Sequence, residues 1–201
     1  MESAQIISAS EKTGFGQAVH IAPAGPDPSV IVVCEHASNH IPTFLGGLGL
    51  GPDALVSHAA WDPGAFDVAR VLAQKVDAVL VSGAISRLVY DCNRPPDAAS
   101  AIPECVEIYD IPGNAALSPQ ARAESIAGVY QPFADGLSRQ LEDHAESLEL
   151  LVTIHSVTPV FLGQRRQVEL GLLHRRDSFF CEAMMAHRPA EQVYDTRINE
   201  P

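Results

Sequence analysis

The chain has 201 residues, 46% of them hydrophobic and 19% charged, with a formal net charge of −12. This apolar content excludes wholesale disorder, and the length suits a single domain over residues 1–201 with a core that needs no disulfide or metal staple. The acidic balance argues against a general nucleic-acid binder, and no apolar run approaches the roughly 20 residues of a membrane helix, so neither nucleic acid nor membrane is an expected partner.

Met1-Glu2-Ser3-Ala4-Gln5 carries neither the basic nor the long apolar region of a signal peptide, and a cytoplasmic location is expected. Cys34, Cys92, Cys105 and Cys181 form no C-x-x-C pair and are expected as reduced thiols. Residues 1–28 hold Pro23, Gly25, Pro26 and Pro28 and read as a surface lead-in with room for one short edge strand. Val30-Ile31-Val32-Val33-Cys34 is wholly apolar and rich in β-branched residues, the pattern of a strand buried on both faces. Residues 63–76 predict a helix, with Pro63 in its first turn and Ala65, Val68, Ala69, Leu72 and Val76 as one apolar stripe. Ala78-Val79-Leu80-Val81 predicts a second buried strand. Residues 91–118, with repeated prolines, read as a long functional loop or a poorly ordered one. Ser118-Pro119 matches an N-cap followed by proline at the first helical position. Ile126, Val129, Tyr130, Phe133, Leu137 and Leu141 continue at helical spacing, and Pro132 is expected to kink or split that helix. Leu150 to Ile154 predicts a third buried strand, and Val168 to Leu173 a fourth. Strands alternating with helical patterns imply an α/β fold with a largely parallel sheet.

In such sheets ligands gather beyond the carboxyl ends of the strands. His36 and His155 each follow a predicted strand directly, and Asp62 precedes the 63–76 helix. Two histidines and a carboxylate, with a fourth position open to water, form a common catalytic zinc set. Hydrogen-bonded histidines at strand ends are the plainer alternative. His40 and His58 are expected outside the set, and His174, after a possible strand, is the next candidate. A second constellation, Ser86 to Pro96, places Arg87, Asn93 and Arg94 near a strand exit. Arginine binds carboxylates in bidentate fashion, so an anchor for an anionic substrate is one reading. Pairing of Arg87 and Arg94 with Asp91 and Asp97 is the other. No G-x-S-x-G, G-x-G-x-x-G or P-loop pattern is present.

Several stretches together resemble the N-formylglutamate amidohydrolase family. They are Val33 to Pro42, His58 to Ala65, Ser86 to Pro95, Ile111-Pro112-Gly113-Asn114, Thr153-Ile154-His155-Ser156 with Pro159, and Glu169 to His174. The resemblance implies a phosphorylase/hydrolase-like three-layer sandwich, with a mainly parallel mixed sheet flanked by helices. It implies Zn2+ or another divalent metal held by His36, Asp62 and His155, and a substrate bound by Arg87, Asn93 and Arg94, with Asn93 and Arg94 on its carboxylate. The implied reaction is hydrolysis of a small anionic N-acyl amino acid, N-formyl-L-glutamate first. The alternatives are a hydrolase of another N-acyl amide and a noncatalytic relative that binds an anion. Such hydrolases carry a catalytic glutamate on a late strand, beyond the point where this chain ends at Asn199-Glu200-Pro201. Glu35 is the nearby catalytic substitute, and also the alternative carboxylate as a metal ligand or as support behind one. Ala134 stands where relatives tend to have histidine. A sheet edge left open by a short C-terminus is expected to favour association, a homo-oligomer included.

Overall fold

Three parallel strands and one antiparallel strand build the central sheet, and apolar runs too short for helices supply them. The computed structural model describes residues 14–161, 163–191 and 193–200. The stretch read above for a leader lies outside the described residues. The strands are β1 (Val19–Ala22), β2 (Val30–Cys34), β3 (Val79–Gly83) and β6 (Leu150–Thr153), in the order β1-β3-β2-β6. β2 pairs in parallel with β3 (Val32↔Leu80) and with β6 (Val32↔Val152), while β1 runs antiparallel to β3 (Ile21↔Val81). The protein is thus mixed α/β with a mostly parallel sheet, as expected. β1 is the short edge strand for which the lead-in left room.

β2 and β3 are central and buried along nearly their whole length. The third predicted strand differs. β6 is terminal in the sheet, alternates between half-buried and exposed residues, and leaves Leu151 44% exposed. An apolar run marks a strand but does not reveal whether neighbours flank both sides.

Helix α2 (Ala65–Val76), preceded by the short α1 (Pro52–Val56), covers one face of the sheet. Its buried residues are Ala65, Ala69 and Ala73, packed with Val32, Cys34 and Leu80. The predicted stripe is therefore rotated: Val68 and Val76 face solvent, and Ala73 belongs to the core. A row of alanines lets the helix approach the sheet closely, and this outweighs the larger valines. The helix also begins two residues later than predicted. Gly64 has φ 80°, outside the helical region, and Asp62 O accepts from Ala65 N–H at 3.1 Å. Asp62-Pro63-Gly64-Ala65 is thus a tight turn of type II pattern, with glycine where φ must be positive.

On the opposite face, Ile31, Val33, Val79 and Val81 pack with Phe133, and Leu137 and Leu141 join them. These come from α4 (Gln131–Asp143), which continues from α3 (Pro119–Ser125) through one π turn, Ile126–Tyr130. Ser118 caps α3 as predicted, its Oγ accepting from Ala121 N–H at 3.1 Å. Pro132 does not split the helix. The π turn just before it shifts the backbone pairing, with Gln131 N–H reaching back to Ile126 O, so the proline falls in the first turn of a fresh α segment.

Residues 91–118 hold a short hairpin, β4 (Cys105–Val106) with β5 (Tyr109–Asp110), and are stitched to the core. Buried Asn114 donates to Leu88 O and Pro103 O, both at 2.8 Å, and Ile111 and Ile102 join a cluster with Leu88, Tyr90 and Val129. Asp91 N–H donates to Ala101 O at 2.8 Å, which anchors the loop at the position that matters below.

By compactness the chain divides after Ser156. The second unit holds the hairpin β7 (Val160–Phe161) and β8 (Gln164–Arg165), then β9 (Leu170–Leu172), α5 (Phe179–Ala186) and β10 (Thr196–Ile198). β9 pairs in parallel with β10, so the predicted fourth strand exists but belongs to a separate two-stranded sheet. Its run is short and bordered by charges, too little apolar surface for a central strand. All four cysteines are free. No described helix is long and apolar enough to cross a membrane.

Candidate active site

The parallel register of β2 and β6 sends their carboxyl ends to the same edge, and the chain turns there into Glu35-His36 and Ile154-His155. Ile154 N–H still donates to Val33 O at 2.9 Å, holding His155 beside the β2 exit. Asp62 arrives from the tight turn before α2. Its N–H donates to His36 O at 3.0 Å, tying that turn to the β2 loop.

The three side chains meet. Ligand atoms from His36, Asp62 and His155 lie within 4.8 Å of one another. The two imidazole centroids are 5.0 Å apart. Both rings turn Nδ1 toward the same oxygen, Asp62 Oδ2, at 2.9 Å from His155 and 3.4 Å from His36. Ser156 N–H donates to that oxygen at 3.3 Å. His36 and Asp62 are buried, whereas His155 reaches solvent, so the cluster has one accessible side.

A second carboxylate backs the cluster. His36 Nε2 lies 2.7 Å from Asp91 Oδ1, an oxygen that also accepts from Asn93 N–H at 2.9 Å. A carboxylate on one ring nitrogen fixes the imidazole's orientation and enriches the other nitrogen, the usual support of a metal-binding histidine. Glu35 is 8% exposed, and its Oε2 has no hydrogen-bond partner, standing 3.5 Å from His155 Nε2. A buried carboxylate oxygen that accepts no hydrogen bond and lies 3.5 Å from the His155 ring suits a divalent cation or a proton-transfer role. The donor set therefore fits a divalent metal.

The electrostatics agree. Burial pushes Asp62 up, but hydrogen bonds from His155 and His36 outweigh it and hold the carboxyl well below its usual range. Asp91 is lowered in the same manner, burial being overcome chiefly by His36. Burial lowers His36, yet Asp62 and Asp91 together raise it above the ordinary imidazole value. The cluster of these groups favours positive charge, whether proton or cation.

Arg87 lies between two of the acids, with Nη1 3.2 Å from Asp62 Oδ1 and Nη2 3.5 Å from Asp91 Oδ2. Asn93 and Arg94 are exposed. The Arg94 guanidinium donates to Asn93 O at 2.8 Å and, among the described residues, joins no ion pair, with Asp97 or any other acid. His58 is a surface residue bound to Glu107 at 2.9 Å, and His40 is exposed. His174 lies in the second unit, where Asn199 Nδ2 approaches its Nε2 at 3.2 Å.

Sequence reasoning missed Asp91 as the partner of His36. The available signal was an acid in a largely apolar stretch, Leu88-Val89-Tyr90-Asp91-Cys92, where a buried charge must find a partner. It missed Ser86 as well. This fully buried hydroxyl donates to Ala60 O at 2.7 Å and accepts from Leu88 N–H at 3.2 Å, which binds the Arg87 loop to the Asp62 loop.

A protein-family model described as N-formylglutamate amidohydrolase matches residues 28–201. Among solved structures, the crystal structure of a gene product from Agrobacterium tumefaciens aligns with a TM-score of 0.86 at 47% identity, covering 95% of this chain and 75% of that one. No curated protein matches.

Proposed function

Because the chain belongs to the N-formylglutamate amidohydrolase family, we propose that it hydrolyses the amide bond of an N-acylated acidic amino acid, with N-formyl-L-glutamate, which would give formate and glutamate, as the leading substrate. The carrying observation is the convergence of His36, Asp62 and His155 within 4.8 Å, with the Oε2 of Glu35, which accepts no hydrogen bond, 3.5 Å from His155. Helices α2 and α4 against the two sheet faces support the further reading of a three-layer sandwich.

In this proposal His36, Asp62 and His155 hold one divalent metal, zinc first. The bound cation supplies Lewis acidity toward the amide carbonyl and toward water at neutral pH. Asp91 keeps His36 in register through Nε2. Asn93 and Arg94 receive the substrate's carboxylate, in charge-assisted hydrogen bonds that aim the amide at the cluster. Glu35 takes a proton from the attacking water and returns it to the leaving amine nitrogen. The carbonyl carbon gains the water oxygen as its bond to nitrogen breaks, so one acid and one amine form per water consumed.

The test is elemental analysis of the metal-replete, desalted chain together with formate release from N-formyl-L-glutamate. One metal per chain, lost in His155→Ala along with turnover, is expected. A chain without stoichiometric metal contradicts the reading. Metal and substrate binding without formate would assign the same site to a noncatalytic anion binder.

A further inference from the structure

Arg87 closes a ring of polar contacts. Its guanidinium meets one oxygen of Asp62 and one of Asp91, and the remaining oxygens of both acids go to the imidazoles. Asp62 Oδ2 faces His155 and His36 through Nδ1, and Asp91 Oδ1 faces His36 Nε2. Three acids, Glu35, Asp62 and Asp91, are buried here. Among the described residues, Arg87 is the one lysine or arginine paired with any of them. Its side chain is 27% exposed, with both Nη groups already directed inward.

We propose that Arg87 is a positioning residue: it spans Asp62 and Asp91, and so holds the Asp62 carboxylate and the His36 ring in the arrangement that receives a cation. This rests on the proposed metal site and departs from the expected role of Arg87 as a substrate anchor. The planar guanidinium explains the residue type. It donates along two directions in a fixed fork, so one side chain reaches two carboxylates, while a lysine ammonium is a point charge that satisfies one of them well. A cation must displace any proton held between His36 and Asp62, and a brace on the far side of both acids keeps the donors from reorganising when it does. Arg94, exposed and in no ion pair among the described residues, remains the group available to an incoming anion.

The test compares Arg87→Met, Arg87→Lys and Arg94→Met with wild type. Cobalt(II) affinity is measured by chelator competition, and kcat and KM for N-formyl-L-glutamate are measured at saturating metal. Arg87→Met is expected to weaken cobalt binding about 10- to 100-fold, the range for residues supporting metal ligands, with KM unchanged. Arg87→Lys should fall between it and wild type. Arg94→Met should raise KM and leave cobalt affinity alone. Unchanged cobalt affinity in Arg87→Met, or a raised KM as its main defect, would overturn the assignment. The guanidinium nitrogen NMR signals of the metal-free wild type give an independent reading. Resolved, slowly exchanging Arg87 Nη signals that ignore added N-formyl-L-glutamate are expected, and a freely rotating Arg87 or one shifted by that ligand counts against the brace. If wild type binds no metal, the proposed function fails, and this spectrum still decides the role of Arg87.

Discussion

The two halves of the candidate site are built on opposite principles. His36 and Asp62 are 2% and 3% exposed, and each makes several polar contacts at fixed distances. Asn93 and Arg94 lie just beyond Asp91 in the chain yet stand in solvent. Burying a charged group is costly unless it is paired and hydrogen-bonded. The donor cluster meets that condition with its own residues before any ligand arrives. The exposed Asn93–Arg94 pair bears no such cost, and the Arg94 guanidinium donates only to the neighbouring Asn93 O among the described residues. Preorganisation thus sits where charges are gathered, and exposure at the pair to which the proposed function gives the substrate carboxylate.

The largest expected effect breaks the buried half. His36→Ala should lower metal affinity by more than the ~100-fold that bounds typical supporting residues, as read by chelator competition. The same substitution leaves Asp62 and Asp91 short of a buried partner and should cost ~1–3 kcal/mol of folding stability in denaturant titration. Next comes the backbone under the site. A Cβ at Gly83 would meet the Glu35 carbonyl oxygen at 2.2 Å, so Gly83→Ala must displace the β2 exit that carries Glu35 and His36. A stability loss of ~1–3 kcal/mol together with weakened metal binding is expected, because backbone cannot rotate away as a side chain can. The exposed half is the contrast: Arg94→Gln should change folding stability by no more than ~0.5 kcal/mol, as surface substitutions do, while raising KM.

Two smaller effects sharpen the comparison through protonation. Asp91 titrates below its ordinary value in the folded chain. Its contribution is therefore present above the unfolded carboxyl value of about 3.9 and lost as pH falls through the depressed folded one. The stability gap between metal-free wild type and Asp91→Asn should hold through neutral pH and close only at strongly acid pH. A gap that closes near pH 6 would contradict the ion pairing. Cys34 is buried next to the site, and burial, with Glu35 and Asp62 nearby, pushes its thiol up to about 12. A neutral-pH thiol reagent should spare it in the native chain and reach it only on unfolding.

The central strands were legible because continuous apolar, β-branched runs leave no alternative to burial on both faces, and β2 and β3 are buried so. The position of β6 at the sheet edge was not, because strand order is decided by pairing between distant segments. The phase of α2 misled for a related reason: valines outrank alanines in hydrophobicity, but the close approach of helix to sheet selected Ala65, Ala69 and Ala73. Within the site, the histidines could be placed from the strands they follow and Asp62 from the turn before α2. The partners that hold them could not. The Arg87–Asp91 pair, four residues apart, is the exception and one of the two readings of that stretch; the Asp91–His36 contact spans 55 residues and the Arg87–Asp62 contact 25. Such contacts leave no local pattern, only a buried charge that demands an explanation.

The most direct measurement is X-ray absorption on the zinc-loaded chain. Two imidazole nitrogens at about 2.0–2.1 Å with carboxylate oxygen completing the shell, and one nitrogen fewer in His155→Ala, is the predicted result. Zinc bound through oxygen alone, or a shell that His155→Ala leaves intact, would contradict the account.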